Sequence, residues 1–230
     1  MSISRFTASR FVTPPFAQPL GKSNVAALPA IAFLQTVESI TNETAHTFSA
    51  FNFGADAASR RIFIFAVWQG TANTLTSITI GGVTATVHVT TTSGGANCAL
   101  VSALVPSGTS GDVVVTVGAT SNRFGIAGWN VTNLTNASPT STDSSAGATS
   151  DTLTVDAASA CIVIAGALSG SGSPGDITIS NVTERFDVTY ETIHRYVAGD
   201  ANPSVADATY DMAVVWTTST DEVAAALSWR

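Results

Sequence analysis

The chain has 230 residues, of which 45% are hydrophobic and only 11% charged, and its formal net charge is −7. That is enough for one substantial core or two small ones, at a charge density well under the roughly 25% usual for soluble domains. No run of about eighteen apolar residues occurs, so no membrane-spanning helix is expected, and an acidic body would repel nucleic acid.

Residues 1–30 stand apart. They hold Arg5, Arg10 and Lys22 without one carboxylate, and carry Pro14, Pro15, Pro19 and Pro29. The net charge is +3 over residues 1–30, −2 over 31–150 and −8 over 151–230. A chain end of this composition orders only when something ties it down, and the expected tie is an acidic neighbouring subunit rather than phosphate. Arg5, Arg10 and Lys22 would supply charge to such a partner, and Phe6, Phe11 and Phe16, with Pro14 and Pro15, would supply apolar groups for its pockets. Pro14 and Pro15 interrupt the amphipathic helix of an organelle transit peptide, and the continuous apolar stretch of a secretory signal is missing. Sequons at Asn42, Asn130, Asn133, Asn136 and Asn181 are therefore expected to mark turns and strand ends rather than glycans.

From residue 31 onward, apolar runs of about five to eight residues alternate with Gly, Asn, Ser, Pro and Asp clusters, the pattern of β-strands and turns. Strands are expected at 31–37, 46–53, 61–68, 77–81, 84–90, 98–105, 112–118 and 124–131, then at 151–156, 161–168, 176–180, 184–190, 191–198, 210–218 and 222–229. No window shows a helical period. Residues 134–150, LTNASPTSTDSSAGATS, read as a crossover loop.

The second group echoes the first. ITIGGVTATVHV at 78–89 aligns with ITISNVTERFDV at 177–188, an offset of 99 that also places IFIFAV on CIVIAG, and Trp129 and Trp229 close the two groups alike. The expected organisation is an extended basic arm over 1–30 and a β-sandwich over 31–230, with pseudo-repeats at 31–133 and 151–230. RIFIFAVW and CIVIAGAL are apolar on both strand faces, as central, doubly covered strands require. This favours one large antiparallel sandwich, jelly-roll-like or immunoglobulin-like, whose sheets draw strands from both halves, over two small sandwiches.

Chemistry is sparse. His46, His88 and His194 lie amid many Ser and Asp but without a GxSxG elbow, and GALSGSGSPGD at 166–176 reads as a hairpin loop. Asp200, Asp207 and Asp211 could hold Ca²⁺ but lack a DxDxDG run, and acidic turns explain them as well; zinc-ligand spacing is missing too. No catalytic, cofactor or metal residue is assigned. Cys98 and Cys161 read as small buried hydrophobes, with a disulfide between facing strands as the alternative. By strand parity Trp216 and Trp229 share faces with aliphatic residues and belong to the core, not to a sugar-stacking platform. Arg60 and Arg61 read as solvated edge charges.

ITIGGVTATVHV, CALVSALVPSGTSGDVVVTV and the terminal VAAALSW together resemble a class of Gly/Thr-rich β-sandwich modules found in tailed-phage virion proteins and in bacterial surface proteins. The resemblance covers residues 31–230 and carries over no catalytic residue. It implies building or decorating a particle, or adhesion to carbohydrate. The resulting expectation is a non-enzymatic virion protein, a head decoration, fibre, collar or tail component assembled in the host cytoplasm. Its partners would be capsid, portal-vertex or tail subunits and further copies of itself. A carbohydrate- or receptor-binding module with a host glycan as ligand is the alternative.

Overall fold

The computed structural model describes residues 27–71, 73–170, 175–190, 193–217 and 221–230. Among these, all regular secondary structure is β-strand, in four antiparallel sheets. The first half of the chain supplies β1 (Ala30–Ser39), β2 (Glu43–Asn52), β3 (Arg61–Gln69), β4 (Leu75–Ile80), β5 (Val83–Thr84), β6 (Thr86–Ser93), β7 (Ala96–Leu104), β8 (Ser110–Ser121) and β9 (Phe124–Thr132). The second half supplies β10 (Ser141–Ala146), β11 (Ser150–Ala157), β12 (Ile162–Ser169), β13 (Ile177–Ile179), β14 (Thr183–Tyr190), β15 (His194–Ala201), β16 (Asp207–Trp216) and β17 (Glu222–Trp229).

Each half is a two-sheet antiparallel sandwich. The first pairs β1-β9-β3-β7-β6 with β2-β8-β4-β5, and the second pairs β10-β17-β12-β15-β14 with β11-β16-β13. Matched in chain order, the two halves have the same strand arrangement apart from β5, which has no counterpart among the described residues of the second half, so the echo in the sequence is a repeat of topology. The order is that of a jelly roll, except that its fifth strand changes sheets: β5 pairs with β4 in the outer sheet, and β6 then pairs with β7 in the inner one. Both β4 hairpins turn through left-handed backbone. Gly81 and Gly82 (φ 58° and 79°) do so in the first half and Asn181 (φ 60°) in the second.

The sheets do not draw strands from both halves; every one is built from a single half. The two sandwiches instead stack through their five-stranded inner sheets, giving four layers. This explains why β3 and β12 are apolar on both faces. Phe63, Phe65 and Val67 face the seam between the halves, with Ile162, Ile164 and Leu168 opposite, while Ile62, Ile64, Ala66 and Trp68 face the first half's own outer sheet. Val163, Ala165 and Ala167 do the same in the second half. Buried side chains of this size contribute about 1.5–3 kcal/mol each, so neither inner sheet could leave its second face in water at small cost.

Across the seam, β6 lies over β10 and β17, and β1 lies over β14, where Phe33 stacks on Phe186 at 5.9 Å. Since β1 corresponds to β10 and β6 to β14, equivalent surfaces meet reciprocally, as in a two-fold dimer held within one chain.

The expected loop 134–150 contains a strand, β10. Its sequence, STDSSA, has no large apolar side chain because it is an edge strand paired only with β17. The strand expected at 191–198 runs at 194–201. Cys98 and Cys161 are buried and free, one in the seam and one in the core of the second half.

Candidate functional site

Polar contacts lock the seam. Asp200 on β15, 2% exposed, accepts two hydrogen bonds from Arg185 (Nε 2.6 Å, Nη2 2.8 Å) and one from the indole N–H of Trp129 in the other half (2.8 Å). Tyr196 donates to Glu38 Oε1 at 3.0 Å, and Tyr190 donates to the Ser39 carbonyl. Burial lifts the Glu38 carboxyl above its ordinary range, partly opposed by the Tyr196 hydroxyl. Asp221 Oδ2 accepts the Gly95 N–H at 3.0 Å, pinning the β6–β7 turn to the second half. On the far side, the Arg61 guanidinium lies 5.0 Å over Trp229 and donates to Ser102 Oγ at 3.1 Å.

Two serine–histidine contacts invite a test for nucleophilic chemistry. Ser102 Oγ lies 2.7 Å from His88 Nε2, but Ser102 is 0% exposed in the middle of β7. Burial and then the Arg61 charge push the His88 pKa down to about 4. His46 sits between Ser39 Oγ (3.1 Å from Nδ1) and the Glu43 carbonyl (3.1 Å from Nε2). It is also 0% exposed, with the Phe124 ring 4.7 Å away. In both pairs a group that would have to meet substrate is sealed by packing: His88–Ser102 ties β6 to β7, and His46 holds the turn between β1 and β2. A third histidine, His194, lines a cavity of about 10 Å³ with Trp68, Phe124, Tyr190 and Tyr196, room for a single water.

The aspartates considered for Ca²⁺ are dispersed. Asp200 is committed to Arg185 and Trp129, Asp211 accepts the Thr154 hydroxyl at 2.6 Å, and Asp207 accepts the Thr209 N–H at 3.0 Å. Among the described residues no group of three or more metal-ligating side chains converges. All four tryptophans are buried. The large hydrophobics most exposed among the described residues are the aliphatic Leu28, Ile40, Val83, Val87, Leu104, Val205 and Val215.

Arg60 is not the solvated edge charge expected of it. Its side chain is 0% exposed and donates to the carbonyls of Val105, Phe53, Gly54, Ala55, Ser107 and Gly108, with Asp56 Oδ1 at 3.5 Å. The guanidinium thereby ties the β2–β3 loop to the β7–β8 loop, using its planar fork of donors. Arg61 is likewise a seam residue, not an edge charge. Neither role has a sequence signal beyond the scarcity of arginine in this half, and the Asp200 pair has none.

Two grooves flank the collar around Arg60. One, of about 390 Å³, runs between the Gly81–Gly82 turn, Ser107 and Asp112. The other, of about 240 Å³, lies between the start of β1 and residues 55–57.

The predicted partner-binding residues Arg5, Phe6, Arg10, Phe11, Pro14, Pro15, Phe16 and Lys22 lie outside the described residues. No protein-family model, curated protein or solved structure matches the chain.

Proposed function

We propose that this chain is a non-enzymatic structural subunit of a tailed-phage or phage-like particle, a head decoration, fibre, collar or tail component. In this reading the basic arm over residues 1–30 fastens the sandwich block to capsid, portal-vertex or tail subunits and to further copies of the chain.

The observation that carries the reading is the contrast between body and arm. The outer sheet of the first half presents the uncharged rows Thr47–Val114–Thr79–Thr84 and Ala45–Thr116–Ser77. That of the second presents Ser150–Val215–Thr178. These rows carry little charge to desolvate when another subunit covers them, and exposed carboxylates flank them, Asp112 on β8 and Asp207 and Asp211 on β16, while residues 1–30 hold three of the nine Lys and Arg without one carboxylate. The closed packing around both serine–histidine pairs further supports a structural role. A carbohydrate platform, the alternative, would need an exposed aromatic ring, and none is among the prominent exposed hydrophobics of the described residues.

The test is deletion of residues 2–28. A soluble, folded body that no longer joins its particle is expected; a truncated protein incorporated at full occupancy would overturn the assignment.

A further inference from the structure

We propose that the groove beside the start of β1 receives an Arg–Phe pair from the arm of a second copy of this chain. The inference rests on the assembly reading above and assigns the arm a surface.

The groove opens where the outer sheet ends. β2 stops at Asn52 and the chain turns through 53–57, leaving the exposed Ala30 and Ala32 of the inner sheet uncovered. Ala55 and Ala57 form the opposing wall, with Asn130 between the two and Asp56 at hand. The wall is held in place: Asn130 Nδ2 donates to the Phe53 carbonyl at 3.0 Å, and Arg60 holds the carbonyls of Gly54 and Ala55. A volume of about 240 Å³ exceeds the roughly 150 Å³ in which an apolar cavity takes up benzene. The lining is chiefly methyl groups, and its one carboxylate, Asp56, is 56% exposed with only a 3.5 Å contact to Arg60. That leaves acceptor capacity for a second cation.

The arm carries the matching chemistry twice. Ser4-Arg5-Phe6 and Ser9-Arg10-Phe11 each set a cation directly before an aromatic ring, so a ring in the alanine groove places its guanidinium within reach of Asp56. The described chain starts at residue 27, three positions before Ala30 joins the groove wall, so each copy's arm leaves beside its own groove. Two neighbours can therefore exchange arms reciprocally and close the contact. From Phe11 to Ala30 the chain can span up to about 65 Å, enough to reach an adjoining subunit.

Sedimentation velocity over a concentration series tests this on the full chain, with circular dichroism confirming each variant's fold. The wild type should self-associate. Phe6→Ala/Phe11→Ala together, and separately Ala32→Trp, should each weaken association by about tenfold or more; Asp56→Asn should weaken it roughly fivefold and flatten its salt dependence. Ala55→Trp fills the groove from the other wall should Ala32→Trp fail to fold. A monomeric wild type overturns the proposal, as does a folded groove-filling variant that associates like the wild type. Loss of association on removing the two Phe rings, with none on filling the groove, would remove the groove and leave the arm reading intact. No loss with either would remove both.

Discussion

Replacing Arg60 with methionine is expected to cost about 3–5 kcal/mol of stability. The guanidinium serves six backbone carbonyls in two loops while itself fully buried. A buried ion pair can often be exchanged for apolar side chains because both partners leave together; here the carbonyls stay. If three of them remained dry at about 1–3 kcal/mol each, the loss would be about 3–9 kcal/mol. Water reaching the exposed loop residues Ala55, Ser107 and Gly108 brings the expectation to the lower part of that range. For a chain of this size this is a fall in Tm of roughly 6–20 °C. Arg60→Lys keeps the charge but has three donors without the planar fork, and should lose about half as much. Urea unfolding followed by tryptophan fluorescence measures both. A methionine variant within about 1 kcal/mol of wild type would refute the reasoning, because it would mean that the carbonyls have other partners.

Gly94 (φ 52°) and Gly82 (φ 79°) both adopt left-handed backbone, but an added Cβ at Gly94 would lie 1.9 Å from Asp221 Oδ1 while that at Gly82 meets nothing within 4 Å. Gly82→Ala should therefore cost about 1 kcal/mol and Gly94→Ala clearly more, read by thermal unfolding. Asp200→Asn should cost about 2–3 kcal/mol and alter Trp129 emission, since the indole and Arg185 share that carboxylate. His88, neutral in the fold with its pKa lowered to about 4, binds a proton more readily when unfolded. Its contribution is whole above pH 6.5 and fades as pH falls from there toward 4. The lowered His46 acts in the same direction and the raised Glu38 in the opposite one. His88→Gln should reduce the slope of stability against pH over that window in urea titrations.

The strands most legible in the sequence were those whose burial is simplest. RIFIFAVW and CIVIAGAL are apolar on both faces because each is the central strand of an inner sheet covered from both sides, and the parity of Trp216 and Trp229 placed both in the core. The repeat was legible because its hairpins and closing tryptophans kept their spacing. Sheet membership was not, since a two-faced apolar strand suits a mixed large sandwich and a stack of two sandwiches equally well. β10 has no signal in the sequence because an edge strand paired on one side needs little apolar surface. Arg60 and Asp200 were opaque for a different reason. Their partners are backbone carbonyls or residues far along the chain, and nothing in local spacing marks a buried charge whose partners arrive only on folding.

The central claim, that the basic arm joins this jelly-roll pair to further copies of itself, is tested most directly by light scattering on the full chain and on residues 27–230. The account predicts that the full chain forms oligomers while the shortened chain is a compact monomer. Two identical compact monomers would contradict it.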